Sequence, residues 1–281
     1  MKTILITGGS GFIGKNLIEF FEEKYHVLSP SHRELDLLDT VAVDDFFAKN
    51  HIDVVIHCAL VGGSRKEEQE ENSLSKNLRM FFNIVKNKDK FGKMINLGSG
   101  AEYDKSKSVI DVKEEDFGKT IPTDEYGFFK YICAKYIEES DNIISLRIFG
   151  LFGKYEDFRY RFISNAICQN LAGLPITINQ NVFFDYVYID DFVKIVDYFI
   201  SNESKYKFYN VGTGKKIDLI TIAGLVNEVA NKKSKVMVKN KGLNNEYSCN
   251  NKRLTDELYP SFKFTEINES IKNLFNWYEK K

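Results

Sequence analysis

Paired cysteines are absent from this chain. Its four, Cys58, Cys133, Cys168 and Cys249, lie far apart in 281 residues, with no CxxC pair and no metal-ligand spacing. That excludes a disulfide framework or a cysteine-based metal site, and it suits reduced, mostly buried thiols of a cytoplasmic protein. Excess charge of one sign is also missing. Lys and Arg total 39 against 40 Asp and Glu, which argues against nucleic acid as a partner. No apolar run approaches the ~18 residues a membrane-crossing helix needs. A first strand entered almost at once leaves no room for a signal peptide. The expectation is a soluble chain that meets neither membrane nor nucleic acid. Linkers, repeats and low-complexity segments are absent too. With 43% hydrophobic residues, the chain can bury a sizeable core as one large α/β unit or a main domain with a small lobe.

The most informative stretch comes first. Thr3 to Thr7 (TILIT) is the β-branched, apolar run of a strand buried on both faces. It leads into Gly8-Gly9-Ser10-Gly11-Phe12-Ile13-Gly14 and a helical pattern from Phe12 to Glu23. A strand, a glycine turn and a helix start in that order make a diphosphate cradle. Gly8 permits the turn, Gly11 lets the backbone approach the anion, and Gly14 allows close helix packing. The helix N-terminus offers free N–H groups and the positive end of its dipole. Gly8, Ser10, Gly11, Phe12, Ile13 and Gly14 are the candidate contacts.

Further strands are expected at His26 to Leu28, Leu35 to Leu37, Asp53 to Ala59, Lys93 to Leu97 and Ile143 to Arg147. Helices are expected at Val41 to Lys49 and Leu74 to Val85, and Arg65 to Asn72 reads as a solvated helix start. This alternation implies a doubly wound parallel sheet covered on both faces. At the end of the second strand stand Ser31, His32 and Arg33, where a dinucleotide fold usually keeps an acid for the ribose of NAD. That favours a 2′-phosphate and hence NADP(H), with NAD(H) possible because Glu34 stands close by. His57 and Cys58 read as core. Beyond Gly150 the rhythm loosens. A helix at Phe162 to Leu171 precedes a β pair around Ile176 and Phe184, then a helix at Asp191 to Ile200 capped by Asp190. A strand at Phe208 to Val211 precedes helices at Leu219 to Ala230 and Ile267 to Tyr278. Residues 1–150 are read as a Rossmann-type domain to which about 181–213 return, and 151–281 as mainly a smaller substrate lobe.

Tyr126 and Lys130 sit one helical turn apart and share a face. A lone tyrosine has a pKa of about 10 and is a poor acid at neutral pH. A neighbouring ammonium favours the phenolate and makes such a phenol useful in acid–base work. Ser99 stands just past a strand end, where parallel sheets assemble their ligand crevice. Ser99, Tyr126 and Lys130 are the candidate catalytic set.

Those residues carry a resemblance. TGGSGFIG, the GSGAEY segment around Ser99 and Tyr126-x-x-x-Lys130 resemble the extended short-chain dehydrogenase/reductases, among them the nucleotide-sugar epimerases, dehydratases and reductases. Phe184 to Asp191, Tyr209 to Gly214 and Phe262 to Tyr278 extend the likeness. Arg33 to Asp39, Val43 to Ala48 and Val61 to Gly63 are similar to the GDP-L-fucose synthase branch. The resemblance implies cofactor contacts at Arg33, Asp36, Leu37, Ala59, Leu60, Val61, Leu97, Tyr126, Lys130, Ile148 and Phe149. It also implies a nucleotide-sugar substrate and a homodimer through the helices at 74–85 and 126–139. There are departures. Ala101, and a position near Arg161, replace the cysteine and histidine that epimerise in that branch. Gly100 and Ala101 replace the Asp-Glu pair of the 4,6-dehydratases. Phe184 replaces a phosphate-holding arginine, leaving Arg159, Arg161, Lys252 and Arg253 as alternatives. The expected activity is NADP-dependent reduction of a nucleotide-activated 4-keto-6-deoxy sugar, with Ser99, Gly100 and Ala101 lining the substrate. An NAD-dependent 4-epimerase or a catalytically silent cofactor sensor are the other readings.

Overall fold

A computed structural model describes residues 1–62 and 71–281. The expected helix start at Arg65 to Asn72 lies almost wholly outside the described residues. Six strands build the main sheet: β1 (Thr3–Thr7), β2 (His26–Leu28), β3 (Ile52–His57), β4 (Phe91–Ser99), β6 (Ile143–Ile148) and β10 (Phe208–Val211). All are parallel, in the order β10-β6-β4-β3-β1-β2. The order reverses between β1 and β3, and a reversal of this kind opens a crevice at the carboxyl ends of the strands.

Side-chain alternation along β1 shows why the sheet is covered twice. Ile4 and Ile6 face α1 (Phe12–Phe21) and α6 (Ile189–Ser201), packing with Leu17, Phe21, Phe192 and Phe199. Leu5 faces the other way, onto α2 (Thr40–Lys49), α3 (Ser73–Val85) and α4 (Glu125–Glu138), with Val43, Phe81 and Phe129. Asp39 caps α2 by accepting the N–H groups of Val41 and Ala42, and Asp124 caps α4 by accepting that of Gly127 at 2.9 Å.

A second, mixed sheet runs β11 (Lys216–Asp218), β9 (Phe183–Tyr188), β13 (Tyr247–Cys249), β5 (Val109–Val112), with β7 (Gly150–Phe152) also on β9. A separate ribbon pairs β8 (Ile176–Asn181) with β12 (Val236–Leu243). The helices α5 (Phe162–Leu171), α7 (Leu219–Val229) and α9 (Ile267–Glu279) pack together beside it, and α8 (Lys252–Leu258) lies on β10. Among the described residues no helix is long and apolar enough to cross a membrane.

Three expectations are corrected. Leu35 to Leu37 is irregular chain running into a turn at Leu37 and Leu38, not a strand. Leu35 and Leu37 still plug into the core, but Asn83 Nδ2 donates to the Leu37 carbonyl at 2.8 Å and the Asp36 carboxylate accepts the Leu38 N–H at 2.9 Å. Local bonds satisfy the backbone without a neighbouring strand. Ile176 and Phe184 do not pair with each other. Only Val182 separates β8 from β9, too little for a hairpin turn, and the two strands enter different sheets. Asp190 is not the cap of α6, which starts after Tyr188 and carries Asp190 in its first turn. There the helix dipole favours the carboxylate.

Candidate functional site

The cradle is built by β1 and α1. Gly8 has φ +69°, and a Cβ there would stand 2.6 Å from the Ala59 nitrogen. A Cβ on Gly14 would meet the Gly8 carbonyl oxygen at 2.4 Å, so helix and turn touch through backbone alone. The Gly11 N–H donates to the Gly8 carbonyl at 3.0 Å and closes the turn. Gly11 then caps α1 without any side-chain bond, and no acid occupies the first helical turn. Ser10 and Gly11 are exposed, with Phe12 and Ile13 half-buried behind them. An uncapped, exposed helix start free of negative charge fits the diphosphate of a dinucleotide.

At the expected adenosine end Ser31, His32 and Arg33 are all exposed. Glu34 accepts the Ser31 N–H at 2.7 Å, a bond that holds its carboxyl below the usual range. The acid is therefore engaged in its own turn. Among the described residues Arg33 has no ion-pair partner, and Asp36 sits 3.6 Å from His32 Nδ1. Past β3, Ala59 donates its N–H to the Thr7 hydroxyl at 3.3 Å. Asn77 of α3 grips Val61 twice, accepting its N–H and donating to its carbonyl, each at 2.8 Å. Leu60 lies half-buried between them. The sequence gives no sign of this clamp, because Asn77 is one of several polar residues on α3, with Ser73 and Asn83 also buried.

Ser99 ends β4, and Tyr126 and Lys130 lie on the first turns of α4. Lys130 is buried, and its Nζ donates to the Leu97 carbonyl at 2.6 Å. The same Nζ is 5.8 Å from the centre of the half-buried Tyr126 ring. Lys105 approaches that ring at 5.3 Å. Ser99 Oγ accepts the Ala101 N–H at 3.1 Å. Strand β6 lies next to β4, with Ile148 beside Ser99, and Phe149 follows it. The structure thus brings Ser99, Tyr126, Lys130 and Leu97 to one strand end, beside Gly100 and Ala101. His57 is core, as read: its Nδ1 meets the Thr7 hydroxyl at 2.8 Å. Burial, then the charge of Lys130, pushes its pKa down to about 3, while burial pushes the Cys58 thiol up to about 12.

Behind Ser99 lies a buried polar chain that sequence reading missed. Glu102 Oε1 accepts the Ser99 N–H at 2.9 Å and Oε2 accepts Arg147 Nε at 2.5 Å. Arg147 also donates to the Tyr103 hydroxyl at 3.1 Å, which donates to Asn210 at 2.7 Å. The guanidinium lies against both Phe117 and Phe208, 4.4 and 4.3 Å from their ring centres. Burial raises the pKa of Glu102 while the Arg147 charge opposes it. The available signal was a charged residue inside each of two buried segments.

The expected cations are scattered. Arg161 is exposed at the start of α5, where its charge reaches Glu156 and Tyr186. Arg159 pairs with Asp157 at 2.8 Å. Lys252 pairs with Asp256 at 2.8 Å, and Arg253 bonds Glu115 and, at 3.2 Å, the Phe208 carbonyl at the start of β10. Around Phe184 the neighbours are aromatic: Tyr186 at 5.4 Å and Tyr247 at 6.1 Å.

A parallel sheet with this strand order and a glycine turn after β1 defines a Rossmann-like α/β protein. Residues 4–212 match the model of the NAD dependent epimerase/dehydratase family, and the chain belongs to that family of NAD(P)-dependent enzymes. It is 27% identical over 238 residues to GDP-L-colitose synthase of Yersinia pseudotuberculosis, covering 75% of this chain and 77% of that one. It is 25% identical over 260 residues to ADP-L-glycero-D-manno-heptose-6-epimerase of Brachyspira hyodysenteriae, covering 80% of each. The fold is similar to that of MlghC, a GDP-mannoheptose C4 reductase from Campylobacter jejuni solved with NADP bound. The TM-score is 0.83 at 19% identity, over 99% of this chain and 98% of that one.

Proposed function

We propose that this chain is an NADP(H)-dependent reductase of a nucleotide-activated 4-keto-6-deoxy sugar, acting at C4. The observation that carries the reading is Lys130, buried and anchored on the Leu97 carbonyl, one turn from Tyr126 and beside Ser99. NADPH, when bound along Gly8 to Gly14, supplies the hydride that the keto carbon gains. Tyr126 gives its hydroxyl proton to the keto oxygen, which becomes the product alcohol. Ser99 donates a hydrogen bond to that same oxygen. Lys130 stabilises the negative charge left on the phenol oxygen until solvent returns the proton. The names of the colitose synthase and of the C4 reductase support this substrate class. Exposed Arg33, with Glu34 turned to Ser31, supports NADPH over NADH.

In this reading residues 1–150, with α6 and β10, hold the cofactor, and 151–281 mainly hold the substrate. Four free thiols suit a cytoplasmic setting, and Phe82 and Phe128, 40% and 37% exposed on the packed pair α3 and α4, support a homodimer. The test is NADPH consumption with a panel of GDP-, ADP-, UDP- and dTDP-linked 4-keto sugars. Equal turnover with NADH would contradict the cofactor assignment. A 4-epimerase would instead carry tightly bound NAD on purification and need no added coenzyme.

A further inference from the structure

The end of β4 is gripped at two points by charged side chains. Lys130 Nζ donates to the Leu97 carbonyl at 2.6 Å, and Glu102 reaches back to the backbone of Ser99. Ser99 is the N-cap of a short 3-10 turn, Gly100–Tyr103. Its Oγ accepts the Ala101 N–H at 3.1 Å, while Glu102 Oε1 accepts the Ser99 N–H at 2.9 Å. Bonds running both ways make a capping box. The carboxylate also has a place left for it. A Cβ at position 98 would stand 2.7 Å from Glu102 Oε1 and 2.5 Å from Ser145 Oγ, so Gly98 leaves the room that the carboxylate takes. Arg147 Nε holds the second carboxylate oxygen at 2.5 Å, and Arg147 Nη1 is bonded to the Tyr103 hydroxyl at 3.1 Å.

A buried ion pair is a poor source of stability. Taking both charges out of water offsets their attraction, and an apolar pair of similar volume is often as stable. Stability alone therefore does not call for a charged pair behind β4. What this pair supplies, and an apolar one does not, is an oxygen aimed at the Ser99 N–H. We propose that Glu102 is a positioning residue for the reduction: its carboxylate, fixed by Arg147, holds the Ser99 backbone so that Oγ stays set to donate to the keto oxygen of the substrate. This rests on the reading of Ser99 as a donor to that oxygen. Glu102 and Arg147 are fully buried and act through the serine alone. The grip of Lys130 on Leu97 ties the same strand end to α4, one helical turn from Tyr126, so the two grips together fix serine against tyrosine. Proton transfer stays with Tyr126.

The double variant Glu102→Met/Arg147→Met removes both charges and the acceptor. With NADPH and a 4-keto-6-deoxy sugar nucleotide, its kcat falls about 10-fold, the scale of one lost hydrogen bond, while melting temperature and NADPH affinity hold. Glu102→Gln/Arg147→Met returns an uncharged oxygen to the Ser99 N–H and recovers most of the rate. On a Ser99→Ala background neither double change slows the enzyme further. Wild-type kcat in the double-methionine variant overturns the proposal, as does a loss that adds fully to that of Ser99→Ala. A second readout needs no substrate. Hydrogen exchange at the Ser99 N–H is slow in the wild type, quickens in the double-methionine variant and slows again in the glutamine variant. Fast exchange in the wild type overturns the proposal whether or not the variants fold, and so does equal exchange in all three proteins. If exchange responds as stated while the wild type consumes no NADPH with any keto-sugar nucleotide, the contact stands and the failure lies with the reductase reading.

Discussion

Glu156 is a carboxyl group held in a buried place with little to keep it charged. The Ser164 hydroxyl donates to it at 2.7 Å, but burial dominates and pushes its pKa from 4.5 up to about 8. Between those values the folded chain holds a proton that the unfolded chain releases, so stability falls as pH rises across that window. Glu156→Gln removes this decline. Between pH 5 and pH 8 the wild type should lose roughly 3 kcal/mol more than the variant, read by urea unfolding. Parallel pH profiles for the two proteins would contradict the assignment. His57 acts in the opposite sense. Buried and neutral down to about pH 3, against 6.5 in the unfolded chain, it withdraws stability as pH falls through that interval. The same scale shows what sequence can offer. Ser99, Tyr126 and Lys130 were legible because two of them are joined by helical spacing and the third sits at a strand end. Tyr247 was not, because its place beside Gly100 depends on how β13 joins β9 and β5.

At the scale of elements, the end of β4 is fixed by its neighbour β6 through Glu102 and Arg147. Both side chains are fully buried, and they form an ion pair at 2.5 Å. Arg147→Met leaves the Glu102 carboxylate unpaired, at a cost of about 3–5 kcal/mol. Adding Glu102→Met restores most of that loss, because an apolar pair can replace a buried ion pair. A single variant losing under ~1 kcal/mol in urea unfolding would show that the pair carries little stability. The elements of the main sheet were legible wherever a strand is an apolar run closed by glycine or a polar turn, as at Thr3–Thr7. The mixed sheet and the β8–β12 ribbon were far less so. Strand β12, exposed along nearly its whole length, and β13, three residues long, are defined by their partners β8, β9 and β5 rather than by any pattern of their own. Leu35 to Leu37 failed for the converse reason: its alternation is real, but no strand edge stands beside it.

Across the whole molecule, two sheets meet at Ser99 with different tasks. The parallel sheet sets its carboxyl ends against the glycine cradle, and the mixed sheet brings Tyr247 and Phe184 to the other side of the strand end. The homodimer proposed through α3 and α4 should sediment at twice 32.5 kDa at micromolar concentration; a single 32.5 kDa species would contradict it. The central claim is that a phenol beside a buried, anchored ammonium hands its proton to a keto oxygen while hydride reaches the carbon. Its most direct test compares wild type with Tyr126→Phe for NADPH consumption on a 4-keto-6-deoxy sugar nucleotide, with NADPH affinity measured in parallel. The account predicts a fall in kcat of about 100-fold or more with the cofactor Kd unchanged. A variant that turns over at close to the wild-type rate would contradict it.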